Sequence, residues 1–258
     1  MPRFAANLSM LFTEVPFLDR FEAAAKAGFK GVEFLFPYAF DVDDIRARLD
    51  QLGLKVVLFN LPPGHWDEGE RGITALKGRE DEFAAGVDLA LRYAEALGCP
   101  RVHAMAGLDA HGTDRDVYLK NLTLAAEWAR GDDVDILIEP INTFDMPGYF
   151  LTTTEAARDV IREVGAANLG LQFDLYHRHR MQGGVLEAIA EFAPIARHYQ
   201  CANPPDRSEP AVDSLDYRRI FEAIDSTGFT GWIGCEYKPR GTTLEGLEWP
   251  GRCGVVLG

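Results

Sequence analysis

The feature that most constrains the fold is an alternation, repeated eight times, between a short apolar run and a longer amphipathic stretch. Short runs rich in β-branched and aliphatic residues are typical of strands buried on both faces of a parallel sheet. In the fifth run Glu139 precedes Pro140, which cannot donate a ladder hydrogen bond, so we expect pairing to end there. The predicted strands are 4–8, 31–36, 55–60, 101–105, 134–139, 168–174, 198–202 and 230–236.

The stretches between these runs predict helices. In 80–97 the apolar residues recur at three- and four-residue spacing, which is the pattern of a helix with one face on a core. Glycines follow several of the stretches, as expected at helix C-termini. The predicted helices are 16–27, 42–52, 80–97, 118–130, 152–164, 185–192 and 215–226, and the eighth segment, 242–249, has room for one or two turns.

Eight strand-then-helix units in 258 residues match a closed (β/α)8 TIM barrel in number and length, with 1–258 as a single domain. An open doubly wound sheet is the rival fold. Such sheets usually have fewer strands, and no Gly-x-Gly-x-x-Gly follows the first run. We therefore predict an α/β barrel with extended loops at about 61–79 and 142–152, a length at which loops are often functional.

Polar side chains stand at the ends of four consecutive predicted strands: Glu139, Asp174, Gln200 and Glu236. In a barrel these strand ends meet at one mouth, where catalytic groups lie. Any one of the acids, taken alone, is equally well explained as a buried carboxylate paired with an arginine. Together, three carboxylates and an amide oxygen form an all-oxygen ligand set that suits Mg²⁺ or Mn²⁺ better than Zn²⁺. Without a cation the acids would raise one another's pKa.

The charge balance limits the partners. Asp and Glu number 40 against 26 Lys and Arg, and the net charge of −14 argues against nucleic acid as a partner and requires a local basic pocket for a small anionic substrate.

The four cysteines form no Cys-x-x-Cys pair, which is typical of a reducing compartment. With no apolar leader and no stretch of 18 apolar residues, we expect a cytoplasmic protein outside the membrane. The sequence leaves a homo-oligomer open.

Several long motifs carry a family resemblance. They include Gly-Val-Glu-Phe-Leu-Phe-Pro-Tyr at 31–38, Phe-Asn-Leu-Pro-Pro-Gly at 59–64, Ile-Glu-Pro-Ile-Asn at 138–142, Asp-Leu-Tyr-His at 174–177 and Gly-Trp-Ile-Gly-Cys-Glu-Tyr-Lys-Pro at 231–239. With these motifs the chain resembles the hydroxypyruvate isomerases, within the larger group of xylose isomerase-like barrels. The resemblance runs from residue 3 to about 249.

The resemblance implies a divalent metal ion, Mg²⁺ or Mn²⁺, held by Glu139, Asp174, Gln200 and Glu236, with Glu139 and Glu236 also moving the proton. The implied reaction interconverts hydroxypyruvate and tartronate semialdehyde through an enediolate, whose charge a metal stabilises. A 2-oxo-tetronate isomerase and a ketose or sugar-acid isomerase or epimerase remain alternatives. From other classes, a non-catalytic sugar-acid-binding barrel remains open, whereas an apurinic endonuclease would need a histidine-rich zinc site and a basic surface.

Four further residues are candidates for binding the substrate. Arg207, seven positions after Gln200, is suited to clamp a carboxylate in a bidentate manner, although a surface ion pair is its other interpretation. His177 can hydrogen-bond a substrate oxygen or serve as a structural histidine. Arg71 and His65 lie on the long third loop, which can act as a lid that excludes water.

The sequence departs from the family pattern in one loop near the predicted mouth. After Gln200 the chain reads Cys-Ala-Asn-Pro-Pro-Asp-Arg-Ser-Glu-Pro, and Ser208 stands where the family usually has histidine. Asp213 and Ser214 replace a Gly-Glu pair, and His65 stands where aspartate is common. These changes leave the four proposed metal ligands in place. They leave open whether the 201–216 loop changes the substrate or the activity.

Overall fold

The computed structural model describes residues 2–213 and 215–257, so that Met1, Ser214 of the divergent loop, and Gly258 lie outside the described residues. Eight parallel strands close into one barrel in the order of the chain, and the predicted single-domain TIM barrel is confirmed. The strands are β1 Arg3–Asn7, β2 Gly31–Glu33, β3 Lys55–Asn60, β4 Arg101–His103, β5 Asp135–Ile138, β6 Leu169–Asp174, β7 Ala196–Cys201 and β8 Trp232–Cys235.

Helices follow the strands and pack around the barrel. Of the predicted ranges, 42–52, 80–97 and 185–192 agree with the structure at both ends. The helices are α1 Phe17–Lys26, α2 Val42–Leu52, α3 Glu80–Leu97, α4 Arg115–Ala129, α5 Thr154–Val164, α6 Leu175–Met181, α7 Val185–Phe192, α8 Tyr217–Ser226, α9 Thr243–Gly246 and α10 Trp249–Cys253.

Strands β2 and β4 are shorter than their apolar runs predict. The runs continue through Phe34 and through Ala104 and Met105, which are buried although they lie outside the strands. Apolar patterning indicates burial rather than strand pairing. Phe34 packs against Phe17 and Phe21 of the first helix, and the Met105 carbonyl accepts from Thr74 of the 61–79 loop. The loop 61–79 contains only the 3₁₀ turn Trp66–Glu68, and no helix lies between β5 and α5.

Helix α6 has no counterpart in the predicted helices. Its short sequence, Leu-Tyr-His-Arg-His-Arg-Met, has no clear apolar period. The helix begins because the Asp174 side chain accepts hydrogen bonds from the backbone N–H groups of Tyr176 and His177, which is the usual action of an N-terminal cap. The residue predicted only as a strand end therefore also starts a helix.

Alternation along the strands separates two apolar layers. Ala5 and Leu137 belong to a small cluster inside the barrel, whereas their chain neighbours pack in the main core between strands and helices. Since side chains two positions apart face the same way, Asn7 and Glu139 also point inward, one layer closer to the carboxyl end of the barrel. The fold thus places polar residues at the carboxyl end of the barrel, next to the small apolar cluster in its interior.

All four cysteines are free and buried, as expected for small core residues. In the part of the chain that the structure describes, no helix has the length and apolar character needed to cross a membrane.

Candidate active site

A cavity of about 380 Å³ opens at the carboxyl end of the barrel. Of the predicted site residues, six line it: Arg71, Glu139, His177, Gln200, Arg207 and Glu236. Asp174 lies against this cavity through its contacts with His177 and Arg207. The eighth residue, His65, is exposed and does not line the cavity.

Besides Glu33, three further buried carboxyl groups dominate the electrostatics of the cavity: Glu139, Asp174 and Glu236. Burial raises the pKa of Glu139 well above its usual value, and the charges of Glu236 and Asp174 raise it further. Burial also raises the pKa of Asp174 to about 6 and that of Glu236 to about 8, against the opposing effect of Arg207. Burial and mutual repulsion therefore favour the protonated forms of these acids more than in solvent-exposed carboxyl groups, and less so for Asp174 than for Glu236.

Arg207 supplies positive charge to this acidic group. Its Nη2 atom lies 2.6 Å from Glu236 Oε2 and 3.4 Å from Asp174 Oδ2, and Nε donates to the Glu236 backbone carbonyl. The residue has a φ of 57°, in the left-handed region, so the loop after β7 holds it in an uncommon backbone conformation. These contacts use Nε and Nη2, and Arg207 also lines the cavity. The alternative of a surface ion pair does not apply, because both acidic partners are buried.

His177 is held in one orientation by Asn142. The Asn142 side-chain oxygen accepts from the backbone N–H groups of Phe144 and Asp145, which directs its amide nitrogen to His177 Nδ1, 2.6 Å away. Since Nδ1 accepts, the neutral ring carries its hydrogen on Nε2. Burial lowers the pKa of His177 well below its usual value, so the ring is neutral.

The position of this hydrogen decides between two roles for His177. Single ligand atoms of Glu139, Asp174 and His177 lie within 4.8 Å of one another, which is compatible with a metal site. However, a nitrogen that carries hydrogen has no lone pair for a metal. With Nε2 located 3.8 Å from Glu139 and 3.5 Å from Asp174, His177 is better suited to donate a hydrogen bond to a substrate oxygen than to ligate.

A buried hydrogen-bond network supports the site from below. Glu33 accepts from Asn7, His198 and Gln200, at 3.0, 2.6 and 2.8 Å. Gln172 then donates to the Gln200 oxygen at 2.7 Å and to Glu139 Oε2 at 3.0 Å. The chain of bonds fixes the Gln200 amide with its oxygen on the Gln172 side and ties Gln200 to Glu139.

Glycine at position 234 makes room for this network. A Cβ atom at Gly234 would lie 2.2 Å from Glu33 Oε1. The carboxylate of Glu33 therefore occupies space that only a glycine on β8 leaves open.

Sequence reasoning assigned no role to Glu33, Gln172, Asn142 or Asn7. A polar side chain within an otherwise apolar strand was the available signal, since Glu33 and Gln172 both interrupt such runs. Their partners lie up to 167 residues away in the chain. For that reason spacing alone does not reveal the network.

The donor set fits a divalent cation. Glu139 Oε1 is buried without a hydrogen-bond partner among the described residues, and it lies beside the carboxylates of Asp174 and Glu236, which interact with it electrostatically. A buried carboxylate oxygen without a partner is unfavourable unless a proton or a cation satisfies it. Glu139, Asp174 and Glu236, with the Gln200 oxygen nearby, are therefore able to hold a hard cation such as Mg²⁺ or Mn²⁺.

The loop after β3 brings aromatic and basic groups to the rim of the cavity. The Arg71 guanidinium stacks on Trp66 at 4.0 Å and donates to the backbone carbonyls of Trp66 and Glu70. Glu70 is in turn paired with Arg79 at 2.7 Å and accepts from the backbone N–H of His65. The loop is thus braced internally, and Arg71 is presented to the cavity while the His65 ring points to solvent.

Protons and a divalent cation should compete for these acids. Because the folded-state pKa values of Glu139, Asp174 and Glu236 are raised, the folded protein binds more protons than the unfolded chain, and stability falls as pH rises from about 5 to about 8. We therefore expect the metal-free Tm to fall over this range, and Mg²⁺ to raise Tm more at pH 8 than at pH 5. Thermal denaturation with EDTA or MgCl₂ measures this. An equal Mg²⁺ effect at both pH values would contradict it.

Comparison with known proteins agrees with the fold. A family model described as "Xylose isomerase-like TIM barrel" matches residues 21–252. The 2-oxo-tetronate isomerase of Cupriavidus necator is 50% identical over 253 residues, with 96% of this chain and 97% of the relative covered. The hydroxypyruvate isomerase of Escherichia coli is 44% identical over 253 residues, covering 96% of this chain and 98% of the relative.

Among solved structures, a protein from Brucella melitensis described as an AP endonuclease of family 2 is 47% identical, with a TM-score of 0.95 and coverage of 98% of this chain and 99% of that chain. The family model matches most of the chain, and full-length relatives have high sequence identity to it. Both findings identify the same family. The chain belongs to the xylose isomerase-like TIM barrel family.

Proposed function

We propose that this protein is an isomerase of a small hydroxy-oxo acid that requires a divalent cation, Mg²⁺ or Mn²⁺. The observation that carries the proposal is the group of three buried acids, Glu139, Asp174 and Glu236, gathered with Arg207 and the donor His177 at the carboxyl end of the barrel. Two relatives with isomerase names, aligned over nearly the whole chain, support it.

The reaction transfers a proton between neighbouring carbons. For hydroxypyruvate, a base removes a proton from C3, the electron pair forms the C2–C3 double bond, and the C2 oxygen becomes negative. Return of a proton to C2 and transfer of the O3 proton to the negative C2 oxygen give the aldehyde, tartronate semialdehyde. Glu139, Asp174, Gln200 and Glu236 would hold the divalent cation, which would supply positive charge to stabilise the enediolate.

The side chains of this chain provide the other functions. Glu139 and Glu236 are the candidates for taking and returning the carbon-bound proton. His177, fixed by Asn142, donates from Nε2 to a substrate oxygen. Arg207 and Arg71 supply positive charge for the carboxylate of the substrate. The partner is thus a small anionic oxo acid, and an enzyme of this kind with buried free cysteines suits the cytoplasm.

The two isomerase names differ in the number of carbon atoms of the substrate, which is three in hydroxypyruvate and four in 2-oxo-tetronate. A four-carbon acid is therefore the second candidate substrate. The cavity of about 380 Å³ lies within the range of small-molecule sites and accommodates either acid. The relative with the higher identity is the 2-oxo-tetronate isomerase. The 201–216 loop, which places Arg207, is the segment where the sequence departs from the family pattern, and we expect it to decide between the two lengths.

Exchange of carbon-bound protons with solvent tests the proposal directly. The Mg²⁺- or Mn²⁺-loaded protein is incubated in D₂O with hydroxypyruvate or 2-oxo-tetronate, and loss of the C3 proton signal is followed by NMR. Enzyme-dependent exchange that EDTA abolishes is the expected result. Binding of either acid without exchange would instead support a non-catalytic sugar-acid-binding barrel.

The same samples test for the endonuclease activity that the name of the Brucella protein suggests. A net charge of −14 disfavours binding to a DNA backbone. We expect no incision of an abasic-site duplex by the metal-loaded protein. Incision together with absence of proton exchange would overturn the isomerase assignment.

A further inference from the structure

His103, the last residue of β4, is a buried histidine whose ring has no hydrogen-bond partner in the part of the chain that the structure describes. It is 1% exposed and lines the cavity at the barrel mouth. Neither Nδ1 nor Nε2 has a hydrogen-bond partner among the described residues. The neighbouring acidic atom, Glu139 Oε2, is 3.7 Å from Nδ1, too far for a hydrogen bond.

The other two buried histidines each have a hydrogen-bond partner in the protein. His198 is bonded through Nε2 to Glu33 at 2.6 Å and does not line the cavity. His177 is anchored through Nδ1 by Asn142. His103 alone among these three has two free ring nitrogens. Since a buried polar group without a partner is unfavourable, a ligand that enters the cavity is the group that would satisfy it.

His103 and His177 flank the same carboxylate. His177 Nε2 lies 3.8 Å from Glu139 Oε1, and His103 Nδ1 lies 3.7 Å from Glu139 Oε2. Burial lowers the pKa of His103 to about 3, with a smaller contribution from His198, so the ring is neutral and offers one donor and one acceptor. Glu139 Oε2 accepts from Gln172, and at 3.7 Å it lies beyond hydrogen-bond distance of the His103 ring. The donor of His103 is therefore available to a substrate oxygen.

We propose that His103 donates a hydrogen bond to an oxygen of the bound hydroxy-oxo acid, on the Oε2 side of Glu139, and is a catalytic residue of the reaction proposed above. A neutral donor aimed at the oxygen that becomes negative in the enediolate stabilises that charge without itself losing a proton. His103 and His177 then hold two substrate oxygens on either side of the carboxylate that takes the proton. The inference rests on the proposed function.

Nitrogen-15 NMR of the histidine rings tests the contact without turnover. The Mg²⁺-loaded protein with ¹⁵N-labelled histidine is titrated with D- or L-glycerate. These hydroxy acids lack the ketone group of hydroxypyruvate, so no isomerisation occurs. We expect the ring nitrogens of His103 to shift while those of His198, outside the cavity, stay unchanged. Assignment uses the His103→Gln and His198→Gln variants. A shift of His177 with no change at His103 would overturn the proposal.

Two variants test the role in the reaction. His103→Leu removes the donor, and we expect kcat for proton exchange to fall about 10²-fold, whereas His103→Gln, which keeps an N–H donor, recovers part of the loss. Circular dichroism and Tm establish that both variants are folded. Activity of His103→Leu within about threefold of wild type would overturn the proposal, because one lost catalytic donor has a larger effect.

The controls separate this inference from the proposed function. If wild-type protein shows no proton exchange on either acid, the proposed function fails and the variants are not needed. If wild-type protein exchanges protons and His103→Leu does so equally well, only the role of His103 fails.

Discussion

Replacement of Glu139 by glutamine is expected to lower proton exchange on the preferred oxo acid by about 10³- to 10⁴-fold, because the amide neither accepts a proton from carbon nor carries the charge that a cation needs. The fold should persist. The amide oxygen can keep the hydrogen bond that Gln172 donates to Glu139 Oε2 at 3.0 Å, and removal of one of three mutually repelling acids lowers the electrostatic cost of the site. Glu236→Gln should have an effect of the same order.

Steady-state proton exchange and thermal denaturation, measured on the same samples, check this prediction. Glu163→Gln is a suitable control, because Glu163 is exposed and paired with Arg115 far from the cavity. The control should keep full activity. Near-normal exchange in either Glu139→Gln or Glu236→Gln would remove that residue from the proton transfer.

Replacement of Arg207 by leucine is expected to affect both stability and substrate binding. The change removes the partner of two buried carboxylates, Asp174 and Glu236. Loss of one partner of a buried ion pair costs about 3 kcal/mol in the free energy of unfolding. Loss of a charged donor to the substrate carboxylate should raise KM about 10- to 100-fold. Mg²⁺ should restore part of the stability but not the KM.

Chemical denaturation with and without Mg²⁺, together with steady-state kinetics, separates these two effects. Arg207→Lys keeps the charge and should retain more stability than substrate affinity, since an ammonium group cannot reproduce the planar donor arrangement. The matched control is Arg115→Leu, in which an exposed pair with Glu163 is lost and little change is expected. An unchanged KM in Arg207→Leu would mean that Arg207 serves the acids alone.

The architecture was largely predictable because each unit carries a local signal. The run 55–60 and the helix 80–97 agree with β3 and α3 at both ends. In both cases the apolar period and the flanking residues depend on a few neighbours in sequence. Helix α6 was not predicted because its start is set by the side chain of Asp174, which the apolar run marks only as a strand end. The predicted ends of β2 and β4 lie beyond the observed ends, because buried residues outside a strand show the same apolar pattern as residues within it.

The candidate site was predictable only in part. Glu139, Asp174, Gln200 and Glu236 were identified because each is a polar residue at or near the end of an apolar run, and the strand ends of a barrel meet at one mouth. The positions of side chains on the loops were not accessible in this way. Arg71 and His65 lie on the same loop, yet Arg71 stacks on Trp66 at the cavity while the His65 ring is exposed.

The sequence by itself determined the number of strand-helix units, their order and the strand ends that carry oxygen ligands, because these depend on short-range period and on polar residues that interrupt it. Only the tertiary structure decided which nitrogen of His177 carries hydrogen, that Glu33 and Gln172 support the proposed metal ligands, and that His103 faces the cavity without a partner among the described residues. The physical reason is that hydrogen-bond partners are set by closure of the barrel. Closure brings Glu33 and Gln200 to 2.8 Å across 167 residues of chain.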